Sequence, residues 1–253
     1  MNLDKTYPLL EGGKKLPLVE SFYTIQGEGF HSGKPAFFIR LGGCDVGCRW
    51  CDSKESWNPD RFPPVDIETI VRDAASTPAK AIVITGGEPM NYPLDPLCHL
   101  LKDYGLEIYV ETSGSSHLSG AFDWVCLSPK RNKPPKDEFF FIADELKVII
   151  EDRTDFEWAE ENRLKVLRAK SSGDSDRFRG VPGREDGTFP NERFEGQIER
   201  YAQLGKAAEA PCLFYMQPEW SKMNELSPLI VEYVKQHPEW NISVQAHKFL
   251  RIP

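Results

Sequence analysis

The sequence predicts an α/β fold in which parallel strands alternate with helices. Three observations support this prediction. Short apolar runs recur along the 253 residues, segments with helical periodicity lie between them, and polar turns rich in Gly or Pro follow the runs directly. A chain of this length can form one large α/β domain or at most two small ones. We expect a single domain over residues 1–253.

Seven short apolar runs predict the strands, at residues 36–41, 80–85, 106–111, 124–128, 146–150, 212–216 and 242–246. Apolar residues recur at helical spacing between Ile67 and Ala75, and Asp66 stands at the N-cap position, so a helix is predicted there. Further helices are expected at 95–104, 156–170, 192–207 and 223–237. In the helix at 156–170, Trp158 and Leu164 are expected to face the core.

One segment, residues 171–190, breaks this alternation because it is polar and rich in Gly. We predict an exposed, mobile insertion without a catalytic residue. A lid over the functional site is the alternative interpretation. Residues 210–253 return to the strand and helix pattern and are expected to close the site.

The composition narrows the class of protein. The net charge is −8 and no basic patch is present, so nucleic acid is not an expected partner and a small substrate is favoured. No apolar run approaches the roughly 18 residues of a membrane span, and the N-terminal residues lack a secretory pattern. Six cysteines, three of them clustered, suit a reducing compartment, so a cytoplasmic location is expected.

The clustered cysteines, Cys44, Cys48 and Cys51, have C-x3-C-x2-C spacing. A closed zinc site needs four ligands, and three thiolates on a four-iron cluster leave one iron with an open position. We therefore favour an iron–sulfur cluster with a reactive iron. The alternatives are a zinc site completed by His31 or His99, a redox dithiol at Cys48 and Cys51, and three unrelated buried cysteines.

Polar loops follow several predicted strands directly. They are Thr85-Gly86-Gly87-Glu88-Pro89, Glu111-Thr112-Ser113-Gly114, Ser128-Pro129-Lys130 and Gln217-Pro218-Glu219, and the cysteine loop follows 36–41 in the same way. In a β/α barrel the loops at the carboxyl ends of the strands gather on the face that holds the active site. We expect these loops to surround one site.

The cysteine triplet, with Trp50 before its last cysteine, and Gly86-Gly87-Glu88-Pro89 resemble the radical S-adenosylmethionine superfamily. Further motifs are 22–29 (FYTIQGEG), 38–43 (FIRLGG), Cys51-Asp52-Ser53, Glu111–Gly114, Ser128–Lys130, Gln217-Pro218 and 247–253 (HKFLRIP). Together they resemble the 7-carboxy-7-deazaguanine synthase family, over about residues 18–150 and 210–253.

The resemblance implies a partial (incomplete) TIM-type β/α barrel and a homodimer. It also implies a carbon–nitrogen lyase that converts 6-carboxy-5,6,7,8-tetrahydropterin to 7-carboxy-7-deazaguanine with loss of ammonia, for queuosine or another 7-deazapurine. The implied cofactors are a 4Fe-4S cluster, S-adenosylmethionine and Mg²⁺, with a one-electron donor such as flavodoxin or ferredoxin. No side chain is expected to be catalytic, because the cofactor carries the radical.

The same resemblance implies the site residues. Cys44, Cys48 and Cys51 would hold the cluster, and Ser53, where many members of the family have threonine, would bind Mg²⁺. The residues implied for S-adenosylmethionine are Trp50, Cys51, Asp52, Gly87, Glu88, Thr112, Ser113, Ser128, Pro129, Lys130, Gln217, Pro218, Glu219 and Trp220. Those implied for the pterin are Ile25, Gln26, Gly27, Arg40, Thr85 and the terminal carboxylate of Pro253.

Two simpler interpretations compete with these assignments. Thr112, Ser113, Ser128 and Gln217 are also ordinary turn-capping residues, and Arg40 could form a surface salt bridge instead. The alternative functions are another radical enzyme, such as a glycyl-radical activase, and a non-catalytic zinc-binding module.

Overall fold

A computed structural model describes residues 7–171 and 212–253. The strands are β1 (Lys15–Ile25), β2 (Pro35–Leu41), β3 (Pro64–Asp66), β4 (Ala81–Gly86), β5 (Glu107–Thr112), β6 (Trp124–Leu127), β7 (Glu145–Ile150), β8 (Leu213–Pro218) and β9 (Trp240–Ile242). The α-helices are α1 (Ile67–Ala75), α2 (Asp95–Asp103), α3 (Asp137–Ile142), α4 (Thr154–Ser171), α5 (Met223–Gln236) and α6 (Ala246–Leu250). Short 3-10 helices include Lys54–Trp57, Pro89–Asn91 and Trp220–Lys222.

These strands form one sheet in the order β3-β1-β2-β4-β5-β6-β7-β8-β9. From β2 to β9 every neighbouring pair is parallel, whereas β1 runs antiparallel to both β2 and β3. Within the described residues, β3 and β9 are the two ends of the sheet and do not pair with each other. The sheet is therefore open, as expected for an incomplete barrel.

Each face of the sheet has its own apolar cluster, because side chains alternate along a strand. Ile82, Ile84 and Val110 belong to the large cluster that also contains the helix residues. On the opposite face, Val83 and Tyr109 belong to a small second cluster with Trp124 and Tyr215. Thr85 and Glu111 continue this inner face toward the carboxyl ends of β4 and β5. Apolar packing on the inner face thus gives way to polar side chains at that end.

Most predicted elements agree with the structure, and two predictions are wrong. Residues 242–246 do not form a strand: β9 ends at Ile242, and the Ser243 N–H donates to the Met216 carbonyl at 2.9 Å. Leu164 does not face the core, because it is 41% exposed, whereas Trp158 is buried.

Two further predictions, the insertion at 171–190 and the helix at 192–207, lie outside the described residues apart from Ser171, which ends α4. Among the described helices, none has the length and apolar character needed to cross a membrane.

Candidate active site

A cavity of about 460 Å³ opens at the carboxyl ends of the parallel strands. Its walls include Arg40 from β2, Thr85 from β4, Lys147 from β7 and Gln217 from β8. All the site residues named from the sequence line this cavity except Pro129. The volume is within the usual range for a small-molecule site. The predicted convergence of the polar loops is therefore present in the fold.

The cysteine loop forms one wall of this cavity. Cys44, Cys48 and Cys51 are half-buried free thiols. The loop is tied to the following 3-10 helix, because the Gly43 N–H donates to Ser56 at 2.6 Å and the Cys44 N–H donates to the Trp57 carbonyl at 3.1 Å. Backbone hydrogen bonds thus fix the loop independently of any bound group.

The chemistry of the three thiols suits metal ligation. Burial raises the pKa of Cys44 to about 11 and also raises the pKa of Cys48, so a bound cation would have to displace their protons. N–H groups are already placed to stabilise thiolate charge. The backbone of Val46 and Gly47 hydrogen bonds to the Cys44 sulfur. The Cys51 sulfur accepts hydrogen bonds as well.

The spacing of the sulfurs argues against a closed zinc site. A tetrahedral zinc with 2.3 Å bonds holds its sulfurs about 3.8 Å apart. Among the described histidines, cysteines and acidic residues, three ligand atoms within 4.8 Å of one another occur only at Glu160, His237 and Glu239, so at least one pair of the three cysteine sulfurs is more than 4.8 Å apart. Wider spacing fits a cluster in which each thiolate binds a separate iron. His31 is outside the lining of the cavity, and His99 is exposed on α2.

The Gly86-Gly87 pair packs directly against the start of the cysteine loop. The Gly87 N–H donates to the Leu41 carbonyl and the Glu88 N–H donates to the Gly43 carbonyl, both at 2.9 Å. A Cβ atom on Gly87 would lie 2.3 Å from the Gly43 carbonyl oxygen, so no larger residue fits. Because the N–H of Gly87 is engaged, its carbonyl is the group left to face a ligand.

Glu88 is almost fully buried and is held by four hydrogen bonds. Its carboxylate accepts from Thr112 Oγ1 at 2.5 Å, the Ser113 N–H at 2.9 Å, the Met90 N–H at 3.0 Å and the Ser113 hydroxyl. Through these hydrogen bonds Glu88 fixes the loop after β4 to the residues at the end of β5. It also commits the two hydroxyls to Glu88, which favours the capping interpretation of Thr112 and Ser113.

Comparisons with known proteins agree with this geometry. A family model described as the Radical SAM superfamily matches residues 38–124. The chain is 43% identical to the 7-carboxy-7-deazaguanine synthase of Flavobacterium psychrophilum, over 96% of each chain. It is 37% identical to the enzyme of that name from Synechocystis sp., over 93% of each chain. The chain belongs to the 7-carboxy-7-deazaguanine synthase family.

A solved structure supports the same conclusion at the level of the fold. The crystal structure of QueE from Escherichia coli aligns with a TM-score of 0.66 and 26% identity, over 98% of this chain and 100% of that one. The predicted family, fold class and type of enzyme are thereby confirmed, and the activase and zinc-module alternatives are not favoured. Membership of the family implies a 4Fe-4S cluster and S-adenosylmethionine, which the cysteine loop described above fits.

Several of the residues named for S-adenosylmethionine are held in place by contacts within the fold. Lys130 Nζ donates to the Ser128 carbonyl at 2.6 Å and lies 5.5 Å from the centre of the Trp50 ring. The Gln217 side chain accepts from the Ser243 hydroxyl at 2.6 Å. In this member of the 7-carboxy-7-deazaguanine synthase family these contacts pre-order one wall of the cavity.

Arg40 lies on the opposite side of the cavity. Its Nε donates to Glu20 at 2.8 Å across the β1–β2 pair, and its Nη1 donates to Ser53 Oγ at 3.2 Å. The Ser53 hydroxyl lies 3.3 Å from an Asp52 oxygen. The predicted alternative of a salt bridge is therefore present, because Glu20 pairs with the Arg40 guanidinium. Arg40 nevertheless lines the cavity, so the salt bridge does not exclude a role in binding.

A buried charge network below the cavity was not identified from the sequence. Lys147 is 3% exposed and its Nζ lies 2.5 Å from Glu28 and 3.3 Å from Glu111. Gln26 donates to Glu111 at 2.8 Å, and Gln245 donates to Glu28 at 2.9 Å. All five side chains line the cavity.

The network shifts the pKa values of Lys147 and Glu28. Burial lowers the pKa of Lys147, but the anionic groups around it outweigh that effect and the net pKa is raised well above its usual value. Burial likewise opposes ionisation of Glu28, yet the contacts with Lys147 and Gln245 lower its pKa. The ion pair is therefore charged on both sides near neutral pH.

The C-terminal segment covers one side of the cavity. The Ala246 N–H donates to the Gly27 carbonyl at 2.9 Å, and a Cβ atom on Gly27 would lie 2.3 Å from the His247 ring. Lys248 Nζ donates to Asp52 at 3.0 Å, which joins this segment to the cysteine loop. His247 and Lys248 line the cavity and were also missed from the sequence, although they belong to the closing motif.

Proposed function

We propose that the protein converts 6-carboxy-5,6,7,8-tetrahydropterin to 7-carboxy-7-deazaguanine and ammonia, in the pathway to queuosine or another 7-deazapurine. One observation carries the proposal. The thiol-bearing loop and a polar subsite containing Arg40, Gln26 and Glu28 face the same cavity. The product and one ammonia together contain all the atoms of the substrate, so the reaction needs no net oxidant.

When bound, the cluster and S-adenosylmethionine supply one-electron cleavage of a carbon–sulfur bond and, from it, hydrogen abstraction from the substrate. Cys44, Cys48 and Cys51 would hold three irons. The free carbonyl of Gly87 would accept a hydrogen bond from the amino group of the methionine part. Trp50, Lys130 and Trp220 would enclose the adenosyl part and exclude water.

Arg40 would orient the substrate carboxylate. A guanidinium matches a carboxylate with two parallel hydrogen bonds, and charge-assisted pairs of this kind are the stronger ones. Glu20 holds Nε and thereby limits rotation of the side chain before substrate arrives. The proposal therefore gives Arg40 a pre-positioned role, with the pterin ring extending toward Gln26.

Polar side chains of the cavity would bind the amino-substituted edge of the pterin. Glu28 and Glu111 offer carboxylate oxygens that accept hydrogen bonds from N–H groups, and Gln26 offers an amide between them. Ile25, Gly27, Thr85 and Pro253 line the same region. Lys147 lies within ion-pair distance of both carboxylates and lowers the pKa of Glu28, so Glu28 stays ionised at neutral pH.

Mg²⁺ would bind between Ser53 and the substrate carboxylate. Mg²⁺ prefers oxygen ligands and commonly keeps several waters, so few protein ligands are needed. The protein offers Mg²⁺ a weak ligand here, because Ser53 Oγ also accepts a hydrogen bond from the cationic Arg40. Bound substrate would have to supply most of the remaining charge. We therefore expect Mg²⁺ to bind together with substrate rather than before it.

The proposal extends to assembly and location. Residues 1–253 would form a single domain in which 210–253 close the site, since β8 and β9 extend the same sheet. An acidic one-electron donor of the flavodoxin or ferredoxin type would approach the exposed side of the cysteine loop, and two chains would form a homodimer. Free thiols suit a reducing location such as the cytoplasm.

Anaerobic turnover tests this function directly. Reconstituted, reduced protein with S-adenosylmethionine, Mg²⁺ and the carboxytetrahydropterin should form 7-carboxy-7-deazaguanine and ammonia in a one-to-one ratio, measured by mass spectrometry and an ammonia assay. Cys98→Ala is the matched control, because Cys98 is buried outside the cavity and should leave turnover intact. A loaded, reduced enzyme that cleaves S-adenosylmethionine but forms no deazaguanine would contradict the proposal.

A further inference from the structure

Trp57 contacts both ends of the cysteine loop. Its backbone carbonyl accepts from the Cys44 N–H at 3.1 Å. Its indole Nε1–H donates to the Cys51 sulfur at 3.4 Å. The residue is half-buried at the end of the 3-10 helix Lys54–Trp57 and lines the cavity. One side chain outside the cysteine motif therefore reaches a sulfur that the proposed function assigns to the cluster.

The Trp57 hydrogen bond differs in kind from the others at these sulfurs. The backbone N–H of Ser53 also donates to the Cys51 sulfur at 3.4 Å, and backbone N–H groups of Val46 and Gly47 hydrogen bond to Cys44. Those donors belong to the turn itself and are present whatever the side chains are. The indole N–H depends on one residue type, so it can be removed without changing the backbone.

Hydrogen bonds to ligand sulfurs and the degree of solvent exposure are the levers by which a protein sets the reduction potential of an iron–sulfur cluster. A donor stabilises negative charge on the sulfur. The reduced cluster has one more negative charge than the oxidised cluster, so the donor favours reduction.

We propose that Trp57 is a positioning residue that holds the Cys51 sulfur and makes the cluster easier to reduce. The inference depends on the proposed function, because it requires a cluster on Cys44, Cys48 and Cys51. It adds a residue outside the cysteine motif to the determinants of that cluster. It also predicts an effect on the cluster alone, without substrate or S-adenosylmethionine.

The test is an anaerobic redox titration of the reconstituted protein without S-adenosylmethionine, followed by electron paramagnetic resonance. Trp57→Phe keeps a ring of similar shape and removes the donor. The comparison is made at the potential where the wild-type cluster is half reduced. There we expect the ratio of reduced to oxidised cluster in Trp57→Phe to be about tenfold lower than in the wild type, which corresponds to a reduction potential lower by ~59 mV for a one-electron couple. Iron and sulfide per chain should match the wild type.

Trp220→Phe is the matched control, because it removes an indole N–H from the same cavity. The centre of the Trp220 ring lies 5.4 Å from the centre of the Phe249 ring and 4.9 Å from Lys248 Nζ. The ring therefore packs on the C-terminal segment and not on the cysteine loop. Its reduced-to-oxidised ratio should equal that of the wild type. A fully loaded Trp57→Phe protein with the wild-type ratio would overturn the inference while leaving the proposed function intact.

Two remaining outcomes are also decisive. If the wild-type protein assembles no cluster, the proposed function itself fails. If only Trp57→Phe fails to hold a cluster, electron–nuclear double resonance on the wild-type cluster decides. Protein labelled with ¹⁵N at the tryptophan indole, in a Trp50→Phe background, should show a ¹⁵N coupling to the cluster, which the backbone N–H of Ser53 cannot produce. Absence of the ¹⁵N coupling would overturn the role of Trp57.

Discussion

Lys147 Nζ lies 2.5 Å from a Glu28 carboxylate oxygen beneath the cavity, although the two residues are on β7 and on the loop after β1. Their side chains are 4% and 15% exposed. Glu111 completes the group at 3.3 Å from the same ammonium. The contact fixes the loop after β1 to β7, so the shape of the proposed pterin subsite depends on this ion pair.

We expect Lys147→Met to destabilise the protein by about 3–5 kcal/mol at pH 7, since it leaves the largely shielded carboxylates of Glu28 and Glu111 without their buried cation. The free energy of unfolding in urea measures this. The loss should shrink toward pH 4, because the lowered pKa of Glu28 depends on Lys147 and the carboxyl can protonate once the lysine is gone.

Lys102→Met is the matched control for this prediction. Lys102 pairs with Asp123 at the surface, with side chains 43% and 26% exposed, so its removal should cost ~1 kcal/mol or less. Equal losses in the two variants would show that the Lys147 network is not a buried one in solution.

Glu145 provides a prediction on pH. It is 3% exposed, burial raises its pKa to about 7, and one of its carboxyl oxygens has no hydrogen-bond partner among the described residues. A raised pKa means that the folded protein binds a proton more tightly than the unfolded chain. The stabilising contribution is full below about pH 4 and is lost as the pH rises through 7.

We expect Glu145→Gln to gain roughly 3 kcal/mol relative to wild type as the pH rises from 4 to 8. Urea unfolding at several pH values measures the difference. Glu232→Gln, at an exposed pair with Lys235, is the surface control for replacing a carboxylate by an amide. A flat profile for Glu145→Gln would show that the pKa of Glu145 is the same in the folded and the unfolded protein, which would contradict the prediction.

Gly87→Ala tests whether the Gly-Gly-Glu turn positions the cysteine loop. The new Cβ atom would meet the Gly43 carbonyl at 2.3 Å and Cys44 Cβ at 2.8 Å, so the loop has to move. We expect a loss of stability of about 1–3 kcal/mol and a sharp fall in iron bound per chain after reconstitution.

Gly105→Ala separates steric displacement from general destabilisation. Gly105 has φ +70° and open space around its Cβ position, so alanine there costs backbone strain of about 1–2 kcal/mol without touching the site. Its iron content should stay at the wild-type level. Wild-type iron content in Gly87→Ala would refute the coupling of the two loops.

Arg40→Ala should lower kcat/KM for the pterin about ten- to hundredfold, since a charge-assisted hydrogen bond contributes ~1.5–3 kcal/mol. The affinity for S-adenosylmethionine, measured by equilibrium binding, should be unchanged. Glu20→Gln, which only loosens the guanidinium, should cause a smaller loss. If Arg40→Ala weakens both ligands equally, its effect is structural and the assignment to the carboxylate is wrong.

The sequence predicted the parallel strands from β4 to β8 well because they are short apolar runs that are mostly buried on both faces, as at 81–84 and 213–216. It missed β1, whose 11 residues are mostly half-buried and mixed in polarity, with Pro17 inside the strand. The register of β1 against β2 depends on long-range pairing, and no local pattern reports it.

The strand predicted at 242–246 shows a second limit. Val244 and Ala246 look strand-like, but Ser243 turns the chain at the rim of the cavity and Ala246 begins a helix that docks on Gly27. Only the tertiary contact with Gly27 decides between the two conformations.

In the candidate site, too, residues within contiguous motifs were predicted and residues joined by distant contacts were missed. The cysteines, the Gly-Gly-Glu turn and Arg40 are parts of contiguous motifs, so they were found. Lys147 is an isolated lysine in an apolar strand, and its partners are 119 and 36 residues away. One local signal existed: Glu145, Lys147 and Ile149 alternate in β7, which places two charges on the inner face of a barrel strand.

The central claim is that three cysteines hold a four-iron cluster whose fourth iron is open to S-adenosylmethionine. Mössbauer spectroscopy of the anaerobically reconstituted protein, with iron and sulfide counted per chain, tests it most directly. We predict four irons and four sulfides, one iron subsite that changes when S-adenosylmethionine is added, and loss of the cluster in Cys48→Ala but not in Cys98→Ala. A colourless protein that holds one zinc ion, or a cluster whose four irons ignore S-adenosylmethionine, would contradict the account.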